Sequence, residues 1–148
     1  MMYYIDLKQL PTIDKEIEKL KEEIDEFSVE IINKNISGIL EEGLDVIQAA
    51  IHVMMIEHKR LPKYVKKYKD IKIKDEPKEF MVKRLNVLSK NFANKRYYIT
   101  FIALITRVLR TFKAYGISKE LLEEEIKKHN LKLKNRGWTL VQIKEEKI

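Results

Sequence analysis

Apolar residues recur every three or four positions early in the chain, at Ile13, Ile17, Leu20, Ile24, Phe27 and Ile31. That period belongs to a helix with one buried stripe, and it predicts a helix from Thr12 to about Lys34. Pro11 marks the turn before it, Thr12 offers a capping hydroxyl, and acidic residues in the first turn suit the positive end of the helix dipole. The stretch NKNIS breaks the period. Ser37 is placed to cap a second helix through about His58, with Ile39, Leu40, Leu44, Ile47, Ile51 and Met54 or Met55 available to pack. So short a link makes the two helices antiparallel neighbours.

From Lys59 the pattern degrades. Pro62, Pro77 and dense lysines exclude a long buried helix but allow a short one between the prolines, and a modest helix fits Glu79 to Ser89. The run from Lys95 to Tyr115 is strongly apolar, with polar groups mainly at Arg107, Arg110 and Lys113, as in a central bundle helix. Gly116 can terminate it, and Ser118 can cap a further helix that stops by Arg136 or Gly137. The alternation in WTLVQI suits an added arm or strand. The expectation is an all-α antiparallel helical bundle, one domain over residues 1–148, with a basic insertion at 59–97.

Composition agrees with a folded helical chain: 148 residues, 45% of them apolar, with only 4 Gly and 3 Pro. The absence of Cys removes disulfides, a thiol nucleophile and thiolate metal sites. No apolar run reaches the roughly 18–20 residues that span a bilayer, and the first residues lack the order of a signal peptide. A soluble, cytoplasmic protein without a membrane partner is expected. The net charge of +7 raises nucleic acid as a partner. Its distribution changes that picture, because residues 1–58 carry 13 acidic and 5 basic side chains while residues 59–148 carry 10 and 25. An acidic first part would repel a polyanion and needs its own explanation.

Glu22, Glu23, Asp25 and Glu26 lie in the first helix, and Glu41, Glu42 and Asp45 in the second. Glu23 with Glu26, and Glu42 with Asp45, are i,i+3 pairs, so each pair projects from nearly one face. Between antiparallel helices four such carboxylates can converge, and they would then need protons or a cation. Oxygen ligands favour Mg²⁺ over Zn²⁺. The same residues also suit a solvated face paired with Lys15, Lys19 or Lys21 at one-turn spacing. Gly43, costly inside a helix, marks close approach by a ligand or simply by another helix.

Towards the other end, HNLKLKNRG supplies Asn130, Lys132 and Arg136 as possible phosphate contacts, with His129 on the same side as the last two. A basic last turn is also what a helix dipole favours without any ligand. Taken together, EEIDE at 22–26, EGLD at 42–45 and HNLKLKNRG at 129–137 resemble the MazG-like all-α nucleoside triphosphate pyrophosphohydrolases, a family related to dimeric dUTPase-like enzymes. The resemblance implies a Mg²⁺ site, with Mn²⁺ as a substitute, held by Glu23, Glu26, Glu42 and Asp45. It also implies a homodimer or homotetramer, and hydrolysis of an NTP or dNTP to the monophosphate and pyrophosphate. Glu22 and Glu26 are the catalytic candidates as proton acceptors, and Asn130, Lys132 and Arg136 those for substrate binding. Residues 59–97 look like an insertion relative to compact members.

Two other classes compete. A non-catalytic helical module could bind nucleic acid through the basic 59–97 region. A di-iron carboxylate bundle lacks its Glu-x-x-His pairs. Phe27, Tyr97, Tyr98, Phe101 and Trp138 could stack on a base, although aromatics at helical spacing are usually core, and His52 and His58 lack a cluster that demands a metal role.

Overall fold

The computed structural model describes residues 3–63 and 65–143. Five helices make an all-α antiparallel bundle: α1 (Ile13–Asn33), α2 (Ile36–His58), α3 (Lys78–Ala93), α4 (Tyr97–Ala114) and α5 (Lys119–Asn135). The Thr12 hydroxyl accepts from the Lys15 amide and the Ser118 hydroxyl from the Leu121 amide, so both of those caps stand where expected. The cap of α2 is Asn35 rather than Ser37, since its side chain accepts from the Gly38 amide and the helix begins two residues earlier. Asn is as good an N-cap as Ser, and the link therefore shrinks to two residues.

The longest packing seam joins α1 and α2, with α4 laid against α2 and α3 filling the angle between α1 and α4. The apolar stripe of α1 packs there, with Leu20, Ile24, Phe27 and Ile31 at 1% exposure or less and Ile13 and Ile17 partly buried. Gly43 explains how α4 comes so close. A Cβ on Gly43 would stand 2.3 Å from Cε1 of Phe112, and Phe112 meets Phe27 edge to face with centroids 6.3 Å apart. Another helix, not a ligand, occupies the space that the glycine leaves.

The 59–97 region belongs to the bundle. It holds α3, which extends beyond the expected Glu79–Ser89 and buries Met81, Leu85, Leu88 and Phe92. Ahead of α3 runs an extended strap with one 3₁₀ turn at Tyr68–Asp70. The polar residues of α4 hold it: Lys113 Nζ donates to the carbonyls of Ile71 at 2.8 Å and Lys69 at 3.3 Å, Arg110 Nε donates to that of Lys72, and Arg107 pairs with Glu76.

A two-stranded antiparallel ribbon completes the fold. Tyr3–Ile5 (β1) pairs with Leu140–Gln142 (β2), the strand suggested by WTLVQI. Gln9 adds a tie, its Oε1 accepting from the Thr139 amide at 2.7 Å. No helix among the described residues is long and apolar enough to cross a membrane.

Candidate metal centre and adjoining cavity

Because α1 and α2 run antiparallel, their acidic segments face each other. Carboxylate oxygens of Glu23, Glu26 and Glu42 all lie within 4.8 Å of one another, a group able to hold a divalent cation such as Mg²⁺. Oε2 of Glu23 and Oε2 of Glu42 are buried with no hydrogen-bond donor. Lys19 Nζ takes Oε1 of Glu23 at 2.9 Å, so one of the expected one-turn lysine pairs does form. Among the described residues, no Lys or Arg forms an ion pair with Glu26, Glu42 or Asp45.

The electrostatics follow from that crowding. Burial, then contact with Glu26 and the charge of Asp45, push the Glu42 carboxyl up to about 8. Burial and the charge of Glu23 push Asp45 up to about 6. Burial raises Glu23 despite Lys19. Glu42 and Asp45 thus sit partly buried among like charges with no Lys or Arg paired to them, a condition that a bound divalent cation would relieve.

The other sequence-selected residues lie around this cluster. Glu22 is exposed on α1. Lys132 is half-buried and reaches Glu41 Oε1 at 3.3 Å, while its charge partly offsets the upward shift of Asp45. Arg136 is exposed and lines a cavity of ≈450 Å³ that also borders Glu23 and Asp45. Asn130 is buried on α5 beside His129. Lys134, which the helical spacing sends elsewhere, sits over the ring of Tyr3. Of the aromatic candidates, Phe27, Tyr97 and Phe101 are core, and Trp138 lines the cavity.

The floor of that cavity joins His52 and His129, named above, to Gln48 and Glu16, which the sequence did not single out. Gln48 Nε2 donates to the Tyr3 carbonyl at 2.6 Å and faces His52 Nε2 at 3.0 Å. The Ile5 amide also donates to His52 Nε2 at 3.1 Å, which leaves the His52 proton on Nδ1, opposite Glu16 Oε1 at 3.2 Å. With its amide so oriented, Gln48 presents Oε1 to His129 Nε2 at 3.1 Å, and the Nδ1 of His129 lies 3.5 Å from Asp45 Oδ1. Burial, with the charge of Lys132, pulls His129 down to about 4, so the ring is neutral at pH 7. Gln48 and His52 were visible as an i,i+4 polar pair in an otherwise apolar run, a spacing that puts both on one face.

Comparison with protein-family models, with curated proteins and with solved structures gave no match.

Proposed function

We propose that this chain is a Mg²⁺-dependent nucleoside triphosphate pyrophosphohydrolase of the MazG-like kind, working as a homo-oligomer. The observation that carries the reading is the Glu23, Glu26 and Glu42 cluster, with Asp45 one turn beyond Glu42; Glu23 and Asp45 border a cavity also lined by Lys15, Lys19 and Arg136. The donor set fits Mg²⁺: every available ligand atom is a carboxylate oxygen, and two of the buried ones have no donor. Mn²⁺ would be tolerated by the same oxygens.

In this reading Glu23, Glu26, Glu42 and Asp45 hold the ion, which when bound supplies positive charge to the phosphate oxygens and lowers the cost of ionising a water. A water attacks the α-phosphorus, forming a P–O bond as the bond to the α–β bridging oxygen breaks. Its proton passes to Glu26 or to the exposed Glu22. Lys132 and Arg136 meet the departing pyrophosphate, Lys132 by leaving Glu41, while Asn130 supports the same end of α5. The nucleoside end occupies the cavity floored by Gln48, His52 and His129.

The test is turnover of purified protein against ribo- and deoxynucleoside triphosphates, with and without Mg²⁺. The expected products are monophosphate and pyrophosphate. Asp45→Asn or Glu23→Gln is expected to lower turnover by about 10²-fold or more, in line with removal of a key electrostatic group. Diphosphate with orthophosphate would overturn the bond assignment. Absence of turnover, joined to salt-sensitive binding of DNA or RNA that survives both substitutions, would favour the exposed lysines of the 59–74 strap as a nucleic-acid surface.

A further inference from the structure

The polar floor of the cavity ends at a carboxylate with one oxygen left unpartnered among the described residues. Glu16 is only 5% exposed, and it lines the ≈450 Å³ cavity. Its Oε1 faces the Nδ1–H of His52, and among the described residues no donor reaches Oε2. That leaves one carboxylate oxygen open to the cavity, beside the apolar side chains of Leu10, Pro11 and Leu133, and able to accept a hydrogen bond from whatever fills it.

Its position relative to the metal centre suits a nucleoside. Glu16 and Glu23 are seven residues apart on α1, two turns along one face, or about 10 Å at 1.5 Å per residue. A nucleotide whose phosphates are held by an ion at Glu23 can span that distance and set its base beside Glu16. Leu10, Pro11, Leu133 and Trp138 supply the apolar walls that a flat ring needs. Gln48 and His52 are already committed: both amide atoms of the first and both ring nitrogens of the second have partners.

We propose that Glu16 reads the base of the substrate, and that this base is guanine. The inference rests on the nucleotide reading given above. An ionised carboxylate only accepts hydrogen bonds, with about four lone-pair sites over two oxygens, so Oε1 can keep His52 and still share a bidentate contact with Oε2. Guanine sets an N–H and an amino group side by side on its Watson–Crick edge. Adenine and cytosine place a lone pair next to their amino donor, and uracil and thymine flank their single N–H with two carbonyl oxygens. Each of those edges brings an acceptor against the carboxylate. Hypoxanthine keeps the ring N–H but lacks the amino group, so it isolates the second contact.

The experiment is calorimetric titration of the full chain, in Mg²⁺, with α,β-methylene triphosphate analogues of guanosine, inosine, adenosine, cytidine and uridine. The guanosine analogue is expected to bind about 10- to 100-fold more tightly than each of the others, the range of one or two hydrogen bonds to a charged group. Glu16→Gln should erase that preference while leaving the weaker analogues nearly unchanged, with circular dichroism confirming the fold. Equal affinity for all bases, tighter binding of a pyrimidine, no binding of any analogue, or a preference that survives Glu16→Gln would each overturn the proposal. Guanine preference without pyrophosphate release from GTP would sustain the base site and sink the reaction. Pyrophosphate release without base preference would do the reverse.

Discussion

Asp45 Oδ1 and His129 Nδ1 face each other at 3.5 Å across the seam between α2 and α5. The proton on His129 is on the other nitrogen, because Nε2 meets Gln48 Oε1, and Gln48 is oriented in turn by the Tyr3 carbonyl. Two acceptors therefore oppose each other at the edge of the carboxylate cluster, and a proton on Asp45 or a cation reconciles them. The orientation makes an NMR prediction. Long-range ¹H–¹⁵N spectra at about pH 7 should show His129 neutral with its proton on Nε2, and His52 with its proton on Nδ1. An imidazolium at His129, or the opposite tautomer at either ring, would show that the polar chain is wired differently.

The raised carboxyls set a pH dependence whose sign can be worked out. Asp45 at about 6 and Glu42 at about 8 bind protons more tightly in the folded chain than in the unfolded one, where such groups titrate near 4. Without a divalent cation their contribution is full below about pH 4 and is lost as pH rises through about 6 and then about 8. His129 acts in the opposite sense, since its folded value of about 4 makes it costly to protonate as pH falls below its usual range. Glu42→Gln separates the two effects. The melting temperature of this variant is expected to exceed that of the parent by a margin that grows from about pH 5 to about pH 8. Mg²⁺ or Mn²⁺ should raise the parent's melting temperature most at the alkaline end and leave Glu42→Gln nearly unmoved. A cation effect independent of pH would count against these carboxylates as the binding site.

Gly43 makes a prediction about packing. Phe112 occupies the volume a side chain would need, and Phe27 closes the other side at 3.2 Å. Alanine is ordinarily the better helix former by about 1 kcal/mol. Here Gly43→Ala is expected to destabilise the chain by about 1–3 kcal/mol, because a rigid ring rather than a flexible side-chain end must move. Chemical denaturation measures it directly. A stabilised variant would mean that α4 can withdraw from α2 without penalty.

These residues also show how far the chain could be read without coordinates. The stripe of α1 and the caps Thr12 and Ser118 were legible because a 3.6-residue period and a capping hydroxyl are local signals. The facing of Glu23 and Glu26 with Glu42 was legible for the same reason, once a short link made α1 and α2 antiparallel. The ribbon of Tyr3–Ile5 with Leu140–Gln142 was only half visible, since a three-residue strand has too few positions to show alternation and its partner lies far away in sequence. The joining of Glu16, Gln48, His52 and His129 was not legible, because it rests on contacts 36 and 81 residues apart, which no local pattern encodes.

Arg107, Arg110 and Lys113 were noticed as polar interruptions of an apolar helix, and their role is to satisfy the strap. Of the three, Arg107 carries the most consequence, since it and Glu76 are both largely buried, with side chains 9% and 12% exposed. Removing one partner leaves the other charge without compensation in a poorly solvated place. Glu76→Ala is expected to cost about 2–3 kcal/mol, below the roughly 3–5 kcal/mol of a wholly buried pair because both groups keep some contact with water. Lys119→Ala is the control. It breaks an exposed pair with Glu123 at 3.9 Å and should stay within about 0.5 kcal/mol of the parent. Hydrogen exchange locates the damage: in Glu76→Ala, the amide of Ile71, which donates to Tyr68, should lose protection before those of α1 and α2. Loss of protection spread evenly over the bundle would instead make the strap inseparable from the core.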